Sequence, residues 1–315
     1  MAAQGHAAHR SRRQRRRYVA LARTRLAVSH PPLVSIGLPV YNGAQFLEEA
    51  LQSLLGQSCA DIELIISDNA STDGTAAICA RFAAADPRVR YSRLSENIGA
   101  LPNHNRVFSL ATGRYFMWAS HDDLFLPNYV EKCVACLERE PSAVLAYSKM
   151  AIIDNGGQVQ KVMQGPHSAD APRAADRFGE FTQLYSVLEA FYGLIRRDVL
   201  AKTMLHLPHP GSDRMLLAEL SLHGRFVQIP EYLFKRRFHP GRSTELIPNL
   251  RRRYAWLVPE FKHKRVYPHW GYLAGYTRAI LRSPLTFGEK LSCGIAVLRL
   301  IRYTWRELLN DLVTS

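Results

Sequence analysis

The feature that most restricts this chain is an alternation between residues 32 and 120, where short apolar runs are separated by amphipathic stretches. The runs are "PLVSIGLPV", "IELIIS", "VRYSRL" and "RYFMWAS". A nearly continuous apolar strand suits a parallel sheet covered on both faces. Between the runs, "AQFLEEALQSLLGQ" sets Phe46, Leu47, Ala50, Leu51, Leu54 and Leu55 at helical spacing. "STDGTAAICARFAAA" opens with capping residues, and "ALPNHNRVFSLAT" runs helically to Gly113. Strand and helix in strict alternation predict a doubly wound α/β sheet. Such sheets bind ligands at the carboxyl ends of their strands. The segments at those ends are "PVYNG", "SDNASTDG", "SENIG" and "SHDD", all turn-forming and rich in Asp and Asn.

Beyond Pro127 the pattern changes. A helix is expected to residue 140, then a long strand in "SAVLAYSKMAIID" and a hairpin turn at "DNGG". A polar loop is expected over roughly 162 to 177. "GSDRMLLAELSLHG" reads as a helix, and "RFVQIP" and "YLFKRRFH" as two strands. From about residue 245 the chain reads as mostly helical, with basic clusters at 251–253 and 262–265.

Charge is unevenly spread. Residues 1–28 hold eight Arg and no acid, giving +8. Residues 235–315 hold sixteen Lys/Arg against five Asp/Glu, giving +11, and residues 29–234 hold 17 against 22, giving −5. Basic ends on a mildly acidic body suggest a polyanionic partner, an anionic membrane face, nucleic acid or a phosphorylated lipid, with a merely solvated tail and helix face as the other reading. Nucleic acid is disfavoured, because four acidic or amide-rich loops on one sheet edge would repel phosphate. The five Cys are sparse and odd in number, which argues against a disulfide framework and fits a reducing compartment. The expected location is cytoplasmic, with the basic C-terminal helices suggesting peripheral contact at the inner face of a membrane and packing against the catalytic domain as the competing reading. Cys133 and Cys136 form a CxxC within a helical stretch and read as core thiols. The Arg-rich start lacks the apolar segment of a secretory signal, and no run is long enough to span a bilayer.

The chemistry concentrates at Asp122 and Asp123. Two adjacent carboxylates on a ligand edge repel unless a cation or proton compensates. Oxygen donors of this kind suit Mg²⁺ or Mn²⁺, which also bind substrate phosphates, while an Asx turn and helix cap before Pro127 is the equally open reading of this stretch alone. Asp68, after an apolar strand, is placed to accept from a base or a ribose hydroxyl. Ser71 and Asp73 read as helix caps.

Taken together, "VSIGLPVYNGAQFLEEALQSLLGQ", "IELIISDNASTDGT" and "ENIGALPNHNRVFSLATGRYFMWASHDD" resemble, in order and spacing, the nucleotide-sugar half of family 2 glycosyltransferases, which have the GT-A fold. The resemblance is strong over residues 33 to 154 and extends through "GSDRMLL" and "RRFHPGRS" to about 243. It implies an α/β, Rossmann-like, mixed doubly wound sheet with a helical C-terminal extension. Pro39, Val40, Tyr41 and Asn42 match the loop lining the base. Asp68 matches the base-reading acid, though Asn69 follows it where the family often has a second acid. Asn97 and Gly99 match a loop near base and ribose, and Asn105 another donor contact. Asp123 matches the metal-binding end of the DxD motif, with Asp122 in the middle and His121 in place of the first acid. Asp213 matches the catalytic base, with Ser212 before it instead of Glu. His239 resembles a residue that completes the metal or diphosphate site in some members, and Arg236, Arg237 and Arg242 around it are placed to meet diphosphate oxygens.

The implied activity is metal-dependent, inverting transfer of a hexose from a nucleotide sugar, UDP favoured, to a glycan or lipid-linked acceptor. Mn²⁺ or Mg²⁺ would be the cofactor. The implied division is an Arg-rich disordered tail (1–30), a GT-A domain (31–243) with donor (31–125) and acceptor (126–243) halves, and a basic helical region (244–315). A nicotinamide enzyme would need GxGxxG after the first strand, where "PVYNGAQ" stands instead. A catalytically inactive sugar-nucleotide binder is the alternative that His121 and Ser212 leave open.

Overall fold

The computed structural model describes residues 30–163, 169–182, 189–241 and 250–314. All but one residue of the expected tail, Arg242, and the expected boundary at 243/244 lie outside the described residues.

Nine strands form one mixed sheet among the described residues: β1 (Val34–Val40), β2 (Ile62–Asp68), β3 (Val89–Arg93), β4 (Tyr115–Trp118), β5 (Leu124–Phe125), β6 (Ala143–Ile153), β7 (Val159–Val162), β8 (Leu194–Arg196) and β9 (Arg225–Arg237). Their order is β3-β2-β1-β4-β8-β6-β9-β5, with β7 paired to β6. β3, β2, β1 and β4 run parallel, as the alternation required. The helices are α1 (Ala44–Leu55), α2 (Thr75–Ala85), α3 (Ala100–Ser109), α4 (Tyr129–Arg139), α5 (Ala174–Thr182), α6 (Arg197–Leu200), α7 (Ser212–Ser221), α8 (Leu250–Leu257), α9 (Pro268–Arg282) and α10 (Phe287–Thr314).

β1 is buried along its whole length, because helices cover both faces of the sheet. Tyr115 and Met117 join one apolar cluster with Leu47, Leu51 and Leu54 of α1. Phe116 and Trp118 join the other, with α7, α9 and α10. Period-two alternation along β4 thus feeds two core layers, each fully buried large side chain being worth about 1.5–3 kcal/mol. Cys133 and Cys136 are buried thiols of α4.

Three expectations change. The polar loop gives way to α5 from Ala174, whose Phe178 and Phe181 enter the core. β8, three residues long, was hidden in "GLIRRDV", yet it sits mid-sheet, antiparallel to β4 and β6. "RFVQIP" and "YLFKRRFH" are one strand. Its Pro230 falls where pairing with β6 jumps from Ser148↔Ile229 to Lys149↔Tyr232, a bulge at which no ladder bond is required of proline. Among the described residues no helix is long and apolar enough to cross a membrane.

Candidate active site

The strand order reverses between β1 and β4, and their following loops part there. A cavity of about 400 Å³ opens at this point, within the range of small-molecule sites. One wall is Pro39, Val40, Tyr41 and Asn42 from the end of β1. Ser120, His121, Asp122 and Asp123 after β4 form the facing wall, with Arg236, Arg237 and His239 at the end of β9. Asn69, Asn97, Asn103 and His104 close one side, and Tyr192 and Trp256 complete it.

The β1 loop is held by the β2 loop. The Asn42 N–H donates to Ser71 Oγ at 2.9 Å, and Asn42 Oδ1 accepts from Thr72 N–H at 2.8 Å. Thr75 Oγ1 accepts from Gly43 N–H at 2.9 Å, and Asp73 Oδ2 from Ala44 N–H at 3.0 Å. Ser71 and Asp73 therefore satisfy backbone donors, Asp73 at the start of α1 as well as of α2. Asn42 itself adopts φ +52°, a conformation Asn tolerates better than most residues.

Asp68 lies behind this wall, fully buried. Its Oδ1 accepts from Ser71 N–H at 2.8 Å, Oδ2 from the Tyr91 hydroxyl at 3.1 Å, and Arg93 Nε is 3.4 Å away. The neighbouring Asn69 reaches the cavity instead. Its Nδ2 donates to Asn97 Oδ1 at 2.9 Å and to Gly99 O at 3.1 Å, and its Oδ1 accepts from Ile98 N–H at 2.9 Å. Gly99 has φ +91°, and a Cβ there would stand 2.5 Å from Leu257 O. That close approach seats α8 and brings Trp256 to the cavity. Asn105 faces elsewhere, exchanging two 3.0 Å hydrogen bonds with the His206 backbone.

Asp122 and Asp123 occupy different settings. Asp123 is buried, and its Oδ1 accepts from Arg237 N–H at 2.8 Å. Asp122 accepts from the Ser120 hydroxyl at Oδ1, and its Oδ2 lies 3.1 Å from His239 Nε2. Burial would raise the Asp122 carboxyl, but the charge of His121 and the hydrogen bonds from Ser120 and His239 hold it below the usual carboxylate range. The His121 ring packs on Gly43, where a Cβ would stand 2.6 Å from His121 Cδ2.

The two arginines divide. Arg237 is buried and committed: it donates to Glu49, Asp122 O, Asp154 O and Asn155 O, and its guanidinium lies 4.7 Å from the Phe46 ring centroid. Arg236 lines the cavity within electrostatic reach of Tyr192, Asp123, Asp122 and Asp213. Asp213 stands in the first turn of α7, with Oδ1 accepting from Arg214 N–H at 2.8 Å. Burial pushes its carboxyl above the ordinary value, against the pull of Arg214 and Arg236. Before it, Ser212 Oγ lies 2.8 Å from His206 Nδ1.

Asp122, Asp123 and His239 offer hard oxygen donors and an imidazole. Among the described residues no group of three or more His, Cys, Asp or Glu is arranged to enclose a metal. The set is too sparse for a closed protein cage, but it fits a divalent ion that shares its coordination with a diphosphate. Sequence reasoning missed Asn69, Tyr192 and Trp256, which reach the cavity from a strand end, a 3₁₀ turn and a C-terminal helix with no motif of their own.

A parallel-dominated mixed sheet with its acidic pair at the switch point and a helical C-terminal cover is the architecture of the GT-A glycosyltransferases. The chain belongs to glycosyl transferase family 2, whose sequence model matches residues 35–203. An uncharacterized glycosyltransferase of Rickettsia typhi is 27% identical over 272 residues, covering 83% of this chain and 81% of that protein. TuaG of Bacillus subtilis, a glycosyltransferase whose name assigns it to teichuronic acid biosynthesis, is 34% identical over 139 residues, covering 44% of this chain and 54% of TuaG. The match spans only 18% of a longer Rickettsia bellii glycosyltransferase. Among solved structures, S. aureus TarS in complex with UDP-GlcNAc superposes with a TM-score of 0.63 at 15% identity, covering 89% of this chain and 79% of that one.

Proposed function

We propose that this chain transfers a hexose, with inversion, from a nucleoside-diphosphate sugar to a hydroxyl of a glycan or lipid-linked acceptor in cell-surface polysaccharide or glycolipid synthesis. UDP is the favoured carrier. The observation that carries the reading is that Asp122, Asp123 and His239 share one cavity with the β1 loop, while Asp213 acts on the same Arg236. The UDP-GlcNAc held by TarS and the polysaccharide role in the name of TuaG support the donor and the pathway class.

Tyr41, Asn42, Asn69 and Asn97 would bind and orient the nucleotide. Asp123, Asp122 and His239 would hold Mn²⁺ or Mg²⁺. Such an ion, when bound, neutralises the charge that develops on the departing diphosphate. Arg236 adds a cation on the same side. Asp213 accepts the proton of the acceptor hydroxyl as its oxygen bonds to the anomeric carbon and the bond to diphosphate breaks. In this reading residues 31–125 carry the donor site and 126–243 the acceptor side, and the C-terminal region adds Trp256. The chain would work at the cytoplasmic face of a membrane.

The test is a donor screen: full-length protein with Mn²⁺ or Mg²⁺, a panel of UDP-, dTDP- and GDP-sugars, and EDTA controls. Metal-dependent stabilisation by one donor, with release of its nucleoside diphosphate, is the expected result. Stabilisation without release under any acceptor would favour the inactive sugar-nucleotide binder. No response to any donor would sink both.

A further inference from the structure

α10 carries two apolar stripes, and among the described residues only one is packed against the body. Cys293, Ala296, Val297 and Leu300 enter the core beside α5 and α9. On the other side Phe287, Leu291, Leu298, Trp305, Leu309 and Leu312 are 51% to 84% exposed. A kink at Thr304 divides the helix. At 3.6 residues per turn Phe287, Leu291 and Leu298 fall within roughly 40° before it, and Trp305, Leu309 and Leu312 within roughly 60° after it, so each segment carries its own exposed apolar stripe.

Charge is sorted around the stripe. Arg299, Arg302 and Arg306 border it on one flank and Lys290 on the other. Glu289 and Glu307 turn roughly 170° away, at the edge of the packed face. Among the described residues none of the three arginines is in an ion pair, and Arg306 lies 5.3 Å over the Trp305 ring. Two copies pairing through this stripe would set basic flank against basic flank in either orientation, because neither flank holds an acid. A surface that accepts apolar side chains and carries negative charge beside them has no such conflict.

We propose that the outward stripe of α10 docks the protein on a lipid bilayer bearing anionic headgroups. The helix lies in the interface, with Trp305 at headgroup depth and Arg299, Arg302 and Arg306 on the phosphates. Deleting α10 would strip the core of Cys293 to Leu300, so exposed positions are the ones to change.

The experiment is vesicle flotation of the full chain with phosphatidylcholine alone and with phosphatidylcholine mixed with phosphatidylglycerol. The wild type is expected to float with the anionic vesicles. Leu298→Ser/Trp305→Ser/Leu309→Ser is expected to lose at least tenfold in partitioning with unchanged circular dichroism and Tm. Arg299→Gln/Arg302→Gln/Arg306→Gln is expected to lose the preference for anionic lipid. A wild type that stays down with both vesicles overturns the proposal. So does an apolar triple variant that floats as well as wild type, which would place attachment elsewhere. A dimer in light scattering that the apolar triple abolishes also overturns it, making the stripe a self-interface.

Discussion

His239 Nε2 stands 3.1 Å from Asp122 Oδ2, tying the end of β9 to the end of β4 across the cavity. The two residues are 117 positions apart, and the contact sets which carboxylate oxygen is engaged and which ring nitrogen faces it. His239→Gln keeps the size of the side chain but not the imidazole. His239 is proposed to hold the ion as well as to orient Asp122, and loss of an orienting partner alone weakens metal binding by about 10- to 100-fold. The Mn²⁺ concentration for half-maximal activity is expected to rise by that factor, as measured by titration at saturating donor.

Asp213→Asn removes the proposed base and leaves the donor cavity intact. The turnover rate is expected to fall by about 10²- to 10⁴-fold, with donor affinity unchanged. Burial raises the folded-state pKa of this group, so its stability contribution is present at low pH and is lost as pH rises through the folded value. Asn carries no such loss. The variant is therefore expected to melt higher than wild type at neutral pH, with the gap closing toward acid. In the wild type, the acid limb of the rate profile should lie above the ordinary Asp range.

Arg236 and Arg237 are adjacent but should fail differently. Arg237→Met strands three backbone carbonyls and Glu49, and it is expected to cost about 2–4 kcal/mol in urea unfolding. Arg236→Met removes a cation that faces the cavity and lies within electrostatic reach of Asp122, Asp123 and Asp213. It is expected to cost less in unfolding than Arg237→Met and to weaken donor binding by roughly tenfold or more. Calorimetric titration with donor separates the two.

Gly99→Ala places a Cβ against Leu257 O in a left-handed conformation. A cost of about 1–3 kcal/mol is expected in unfolding. Because relief requires α8 to move, taking Trp256 with it, donor affinity should fall as well. An unchanged donor Kd would show that α8 plays no part in holding the nucleotide.

Much of the sheet was legible because its pattern is local. "VSIGLPV" must be covered on both sides, and "YNG" and "SHDD" can only leave the sheet, so the cavity's two main walls followed from strand ends. β8 was not legible: three residues carry no period, and they form a strand only because β4 and β6 stand on either side. Arg237 read as a phosphate contact from its place beside His239. Its guanidinium is instead taken up by carbonyls brought from 122, 154 and 155.

The sequence by itself determined the alternating α/β order, the polar strand ends and the acidic pair at residues 122 and 123, because backbone covering and side-chain period act over a few residues. Only the tertiary structure decided that Asn69, not Asp68, reaches the cavity, that His239 meets Asp122, that α8 delivers Trp256, and that α10 keeps an apolar stripe outside. Those outcomes depend on which distant segments compete for the same space and the same hydrogen bonds, and that competition exists only once the chain has closed.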